Sequence, residues 1–196
     1  MLATWSLNHA AIRAVLDFWL LPQDDPNYGT HRDVWFKSTA EFDAEITVRF
    51  ATLHARALAG DLDHWMSAAH GTLALIIVCD QFSRNIYRKT AKAFSGDEKA
   101  LALARLALRR SYPEAFPLAA RTFFYMPFCH SEHIVDQDLA CELVATINNP
   151  SGLKEVLEHR EVVRAFGRFP HRNDVLGRTT TPEEMEYLRA GKRWGQ

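Results

Sequence analysis

Asp80, Arg84 and Arg88 fall four residues apart in the run Asp80-Gln-Phe-Ser-Arg84-Asn85-Ile-Tyr-Arg88, directly after the apolar stretch Leu73–Cys79. On one helix this spacing puts an acid and two guanidiniums on a single face. Gln81 and Asn85 lie beside them, and Phe82 and Ile86 take the apolar side. The apolar stretch belongs in a core, so it delivers these charges to the core's edge. An unpaired buried charge costs several kcal/mol, so the group pairs internally, with other polar residues or with a ligand. Arg84 and Arg88 are like charges one turn apart and call for an anion between them. Asp80 is one candidate, and a bound phosphate or carboxylate is another.

A second constellation is Pro127-Phe-Cys-His130-Ser-Glu132-His133-Ile-Val-Asp136-Gln137. With Ser131 as a cap, Glu132 lies in the first turn of a helix and Asp136 one turn on, on the same face. Two such carboxylates need something positive between them. Mg²⁺, which takes carboxylate oxygen and water, fits that need, as does an arginine from the first constellation's helix. Asp80, Glu132 and Asp136 are therefore the candidate metal ligands. His130, at the helix entrance, is a candidate acid or base near neutral pH, or else a capping or core histidine. Zinc is not expected, because no Pro-Cys-x-x-Cys follows and His130 and His133 lack the His-Glu-x-x-His spacing. No organic cofactor is indicated.

The third constellation, Arg168-Phe-Pro-His171-Arg172-Asn173, is read as a loop because of its proline. It either contacts a ligand or packs Phe169 and ties its own ends. Together the three yield Asp80, Arg84, His130 and Glu132 as candidate catalytic groups. Gln81, Asn85, Arg88, Arg121, His171 and Arg172 are candidate substrate contacts.

Helices must position these groups, since apolar spacing is helical nearly throughout. Ile12, Val15, Leu16, Trp19 and Leu20 follow the i, i+3, i+4, i+7, i+8 pattern. Ser38-Thr-Ala-Glu41 reads as a capping box opening a helix that Gly60 stops. Gly71–Tyr87 is the next helix. Ser95-Gly-Asp-Glu98 reads as a second box. A short helix covers Leu118–Tyr125, with Pro127 as its end. Helices over Ser131–Ile147 and Leu153–Phe166 follow. Thr181-Pro-Glu-Glu184 opens the last one, with proline at its first position. No stretch alternates with period two for long enough to make a sheet. The expectation is one all-α domain over residues 1–196, of about eight antiparallel helices. The aromatic residues fall at core or capping positions.

At 196 residues the chain suits one well-buried core. A net charge of −1 gives no global field for nucleic acid or an acidic membrane. Cys79, Cys129 and Cys141, odd in number and without CxxC spacing, read as reduced thiols. No signal peptide and no run near the roughly 18 apolar residues of a membrane span is visible, so a cytoplasmic protein without membrane contact is expected.

Val15-Leu-Asp-Phe-Trp19, Trp35-Phe36, Arg49-Phe50, Asp80-Gln-Phe-Ser-Arg-Asn85, Tyr125-Met-Pro-Phe128, His130-Ser-Glu132, Asp136-Gln137 and Arg168-Phe-Pro-His-Arg-Asn173 together resemble the bacterial domain-of-unknown-function family numbered 924. The resemblance spans roughly residues 12–190 and implies an all-helical, tetratricopeptide-like array. It also suggests magnesium-dependent ribonuclease activity, which no familiar nuclease motif here supports directly. Cys79 stands where a larger aliphatic residue is expected.

Three functions follow as expectations. One is a Mg²⁺-dependent phosphodiester hydrolase, with RNA or a small phosphate-bearing molecule as ligand. The alternative is a non-enzymatic module that clamps a peptide carboxylate with Arg84, Asn85 and Arg88. In the third, the polar clusters are a buried structural network. A single site requires the motifs to converge in space.

Overall fold

The computed structural model describes residues 2–191, with side chains from His9 onward. Every regular element among them is helical: α1 (Leu2–Leu20), α2 (Ala40–Ala59), α3 (Ala69–Ile76), α4 (Ser83–Ile86), α5 (Asp97–Arg109), α6 (Leu118–His130), α7 (Ile134–Ala145), α8 (Pro150–Phe166) and α9 (Pro182–Arg189). A π-helical turn, Ile77–Phe82, joins α3 to α4, so the nine segments form eight rods. The joined rod is the axis of the fold, with every residue from Gly71 to Ser83 buried. Around it pack α1, α2, α5 and α6, while α7 and α8 extend the array from α6. One core holds most buried apolar side chains. Val162, Val163 and Phe169 form a small satellite core with Phe166 and Tyr187.

Several local readings shift, each for a physical reason. The cap of α2 is Thr39, whose Oγ1 accepts from Phe42 N at 3.2 Å. Ser38 instead donates to Asp43. Ser95 does not cap α5 either; its hydroxyl donates to Lys92 O, and Gly96 takes the cap position. Pro127 does not end α6, which continues to His130. The proline removes one backbone donor, and the surrounding burial of Phe123, Phe124, Tyr125 and Phe128 holds the helix together through it. Gly60 at φ 91° and the Thr181–Glu184 capping box form as the sequence predicts.

Asp80, Arg84 and Arg88 do not ride one regular helix. The π turn contains Asp80, and Arg88 lies past the end of α4. Cys79 O accepts from Ser83 Oγ at 2.6 Å, and the Gly96 backbone lies hard against the same carbonyl. A Cβ at Gly96 would sit 2.0 Å from Cys79 O. Gly96→Ala is therefore expected to destabilise the fold by about 3 kcal/mol, at the upper end of overpacking penalties. Chemical denaturation checks this, and a loss indistinguishable from zero would refute the contact.

Candidate functional site

Asp80 is the keystone of the site. Burial by itself raises a carboxyl's pKa, yet Arg84 and His130 hold Asp80 below the ordinary carboxylate range. Arg84 Nη1 donates to Asp80 Oδ1 at 3.0 Å and to Asp80 O at 2.8 Å. His130 Nδ1 lies 2.7 Å from Asp80 Oδ1, and Gln81 Nε2 donates to Oδ2. Arg84 also forks onto Asp97, with contacts of 2.9 and 3.1 Å. Both terminal nitrogens, Nη1 and Nη2, are thus engaged, and they clamp α4 to α5.

His130 is the last residue of α6, not the entrance of the next helix. Gln137 Nε2 fixes the turn there, donating to Cys129 O at 2.8 Å and to Ser131 O at 2.6 Å. With Nδ1 on Asp80, His130 Nε2 makes no hydrogen bond among the described residues, and the ring lines a cavity of about 460 Å³. Burial and then Arg84 keep the imidazole pKa below its ordinary value. The ring is therefore neutral at pH 7, in the tautomer with its proton on Nδ1 and a lone pair on Nε2.

Arg172 lines the same cavity and is 7% exposed. Its guanidinium lies over the rings of Phe94 and Phe169, 4.7 and 4.5 Å from their centroids. The 3.6 Å separation from Asp97 Oδ2 exceeds hydrogen-bond range, and buried Nε has no hydrogen-bond partner among the described residues. Burial, then repulsion from Arg84, lowers its pKa to about 10, so it stays charged at neutral pH. His159 and His171 complete this end of the cavity. At the other edge, Asp43 collects Arg88 Nε at 2.7 Å, Asn85 Nδ2 at 2.7 Å and Ser38 Oγ at 2.6 Å.

Of the residues expected to act together, Gln81, Arg84, Asn85, Arg88, His130, His171 and Arg172 line this cavity, with Asp80 buried behind it. Glu132, Asp136 and Arg121 go elsewhere. Glu132 is not in the first turn of a helix, because α7 begins only at Ile134. It pairs with Arg178 at 2.7 Å and accepts from Phe169 N at 2.8 Å, pinning the loop that carries His171 and Arg172. Asp136 is held by Arg105 and Ser131 Oγ. Arg121 donates to the carbonyls of Phe116 and Glu114. The candidate Mg²⁺ trio of Asp80, Glu132 and Asp136 is thus split among three cationic partners: Arg84, Arg178 and Arg105. Among the described residues no three His, Cys, Asp or Glu side chains are grouped to hold a metal ion.

Sequence reasoning missed Asp97, Asp43, Phe94 and His159. Asp97 and Asp43 carried a signal, since each is an acid in the first turn of its helix. Nothing in sequence marks Phe94 or His159 as neighbours of Arg172.

Burial first, then nearby positive groups, holds His159 at about 4 and His171 at about 3. Both values lie below the unfolded histidine value of about 6.5. The unfolded chain therefore binds more protons in between, and stability, full above about pH 6.5, falls as pH drops towards these folded values. The urea midpoint is expected to fall steadily from about pH 6.5 to about pH 5, and less steeply in His159→Gln and His171→Gln. Parallel curves for all three proteins would contradict this.

The three cysteines are buried and unbridged. Burial raises the thiol pKa values of Cys79 and Cys129, the first to about 12, which leaves them inert as nucleophiles. Among the described residues no helix is long and apolar enough to cross a membrane.

The fold is shared with a known protein. A solved structure from Agrobacterium tumefaciens, of the protein of unknown function ATU0120, superposes with a TM-score of 0.85 at 40% identity, over 94% of this chain and 99% of that one. No curated protein matches the chain. The family model described as bacterial protein of unknown function (DUF924) matches residues 15–192, nearly all of the helical array. The chain belongs to the DUF924 family.

Proposed function

We propose that the cavity binds a small phosphate ester and hydrolyses it with His130 as general base. Arg172 carries the reading. A guanidinium that is buried, held over two aromatic rings and without a hydrogen bond among the described residues has donors open to an anion, and phosphate oxygens match its geometry. The cavity's size suits one small ligand. A net charge of −1 supplies no broad basic footprint, so a small ester is favoured over a long RNA.

The chemistry follows from the dyad. Nε2 of neutral His130 takes a proton from water, and the water oxygen attacks phosphorus. The ester P–O bond breaks, the leaving oxygen takes a proton from solvent, the imidazolium returns its proton to solvent, and the products are an alcohol and phosphate. Asp80 holds the ring's tautomer and stabilises the imidazolium that forms. Arg172 stabilises charge on the phosphoryl oxygens. The separated carboxylates do not fit a Mg²⁺ site, so no step is assigned to a metal ion.

The test is calorimetric titration with sulfate, a dianion across the working pH range. Arg172→Met is expected to weaken binding about tenfold or more, as loss of a charged hydrogen bond does. Three guanidiniums here, Arg84, Arg88 and Arg172, already face the carboxylates Asp43, Asp80 and Asp97. Added negative charge therefore draws protons onto His159 or His171, which leaves His130 neutral as the base. Binding is expected to tighten from about pH 8 to about pH 6, with net proton uptake. Sulfate binding that ignores both Arg172 and pH, or no binding, would remove the anion site.

A further inference from the structure

We infer that the ester's alcohol half is a planar aromatic ring, held against Phe36 in the wall of the same cavity. This rests on the phosphate-ester reading above and adds the class of substrate. Phe36 is 53% exposed, a large aromatic left open while Trp35 beside it is buried. It is not a loose surface residue. His31 stacks on it, with centroids 5.7 Å apart and planes 13° from parallel, and Trp35 meets it edge-on at 84°. Trp35 is itself locked by Nε1 donating to Trp19 O at 2.8 Å. The 3-10 turn Asp33–Trp35 and the bond from Phe36 N to Asp33 O fix the backbone beneath this ledge. His31, Trp35 and Phe36 line the same cavity as Arg172, His130 and His171.

One cavity therefore offers an anion-binding guanidinium and a rigid, flat aromatic ledge. Bare phosphate would fill only a fraction of about 460 Å³. A ligand that uses both features carries a phosphoryl group and a flat ring, as phenyl phosphate or a mononucleotide does. Stacking on an aromatic side chain tolerates any planar ring, so the ledge selects a class of ligand.

The experiment titrates phenyl phosphate, uridine monophosphate, n-hexyl phosphate and glycerol 1-phosphate into the wild type, Phe36→Ala, Phe36→Leu and Arg172→Met. The ring-bearing esters are expected to bind about tenfold tighter than glycerol 1-phosphate. Both Phe36 variants should erase that margin without changing glycerol 1-phosphate affinity, and Arg172→Met should weaken all four. Phe36 is exposed, so its variants are expected to fold, and circular dichroism checks this. Equal, Arg172-dependent binding of all four esters would overturn the ring inference and leave the phosphate site standing. Hexyl phosphate matching phenyl phosphate, with Phe36→Leu as good as wild type, would also overturn it, since the ledge would then select apolar bulk. Binding of none, or binding indifferent to Arg172, would overturn the phosphate reading itself and this inference with it.

Discussion

Arg84→Met is expected to destabilise the protein by about 3–5 kcal/mol near pH 8, or roughly 6–20 °C in Tm for a chain of this length. Methionine retains much of the apolar stem but removes the cation shared by Asp80 and Asp97. Asp80, with a side chain 1% exposed, keeps its charge with only His130 and Gln81 as partners. The neighbouring imidazole then has a remedy. Wild-type His130 is held neutral partly by Arg84. Without that repulsion, a proton on His130 pairs directly with Asp80, 2.7 Å away. The variant's His130 should therefore keep its proton to a higher pH than in the wild type, so acidification costs the variant less stability. The gap between wild type and Arg84→Met is expected to narrow from about pH 8 to about pH 6, as denaturation midpoints can show. A gap that stays constant or widens would mean that Asp80 and His130 are not coupled as drawn.

The parts of this arrangement legible in sequence were those set by local pattern. The continuous apolar run Leu73–Cys79 announced a buried rod, and Asp80, Arg84 and Arg88 at its end announced a charged edge. The helix count followed from apolar spacing, with Gly60 and Thr181 acting as local punctuation. Failures came where tertiary packing overrode a local rule. Pro127 looks like a stop, but the aromatic core around α6 keeps the helix going, which moves His130 from one helix's start to another's end. That shift also removed Glu132 from a helical first turn and parted it from Asp136. The π turn at Asp80 left no mark in apolar spacing, and Gly96 against Cys79 O had read merely as a residue in a capping box. π turns often occur at functional sites, and this one carries the site's central carboxylate. The partners Asp43 and Arg88 are 45 positions apart, a pairing no local pattern encodes.

His130→Asn is expected to lower kcat/KM for p-nitrophenyl phosphate, a ring-bearing ester, by about 10²–10⁴-fold, the range for loss of a positioned general base. Asparagine at this position can place an amide N–H where Nδ1 stands, so Asp80 keeps a donor while the Nε2 lone pair disappears. Stability should change much less than in Arg84→Met, and this separates catalytic loss from unfolding. Asp80→Asn probes the same dyad from behind. It removes the charge that supports the imidazolium and permits the wrong tautomer, so activity should fall comparably even with the cavity intact. The pH profile gives a third readout. The base form of wild-type His130 persists below its ordinary titration range, so the acid limb of kcat/KM should lie below about pH 6.5. In Arg84→Met that limb should move to higher pH, because the repulsion holding the proton off is gone. A merely structural His130 would move none of these. Wild-type turnover in folded His130→Asn, with an unchanged acid limb, would locate the base elsewhere and leave Arg172 as the centre of a binding site alone.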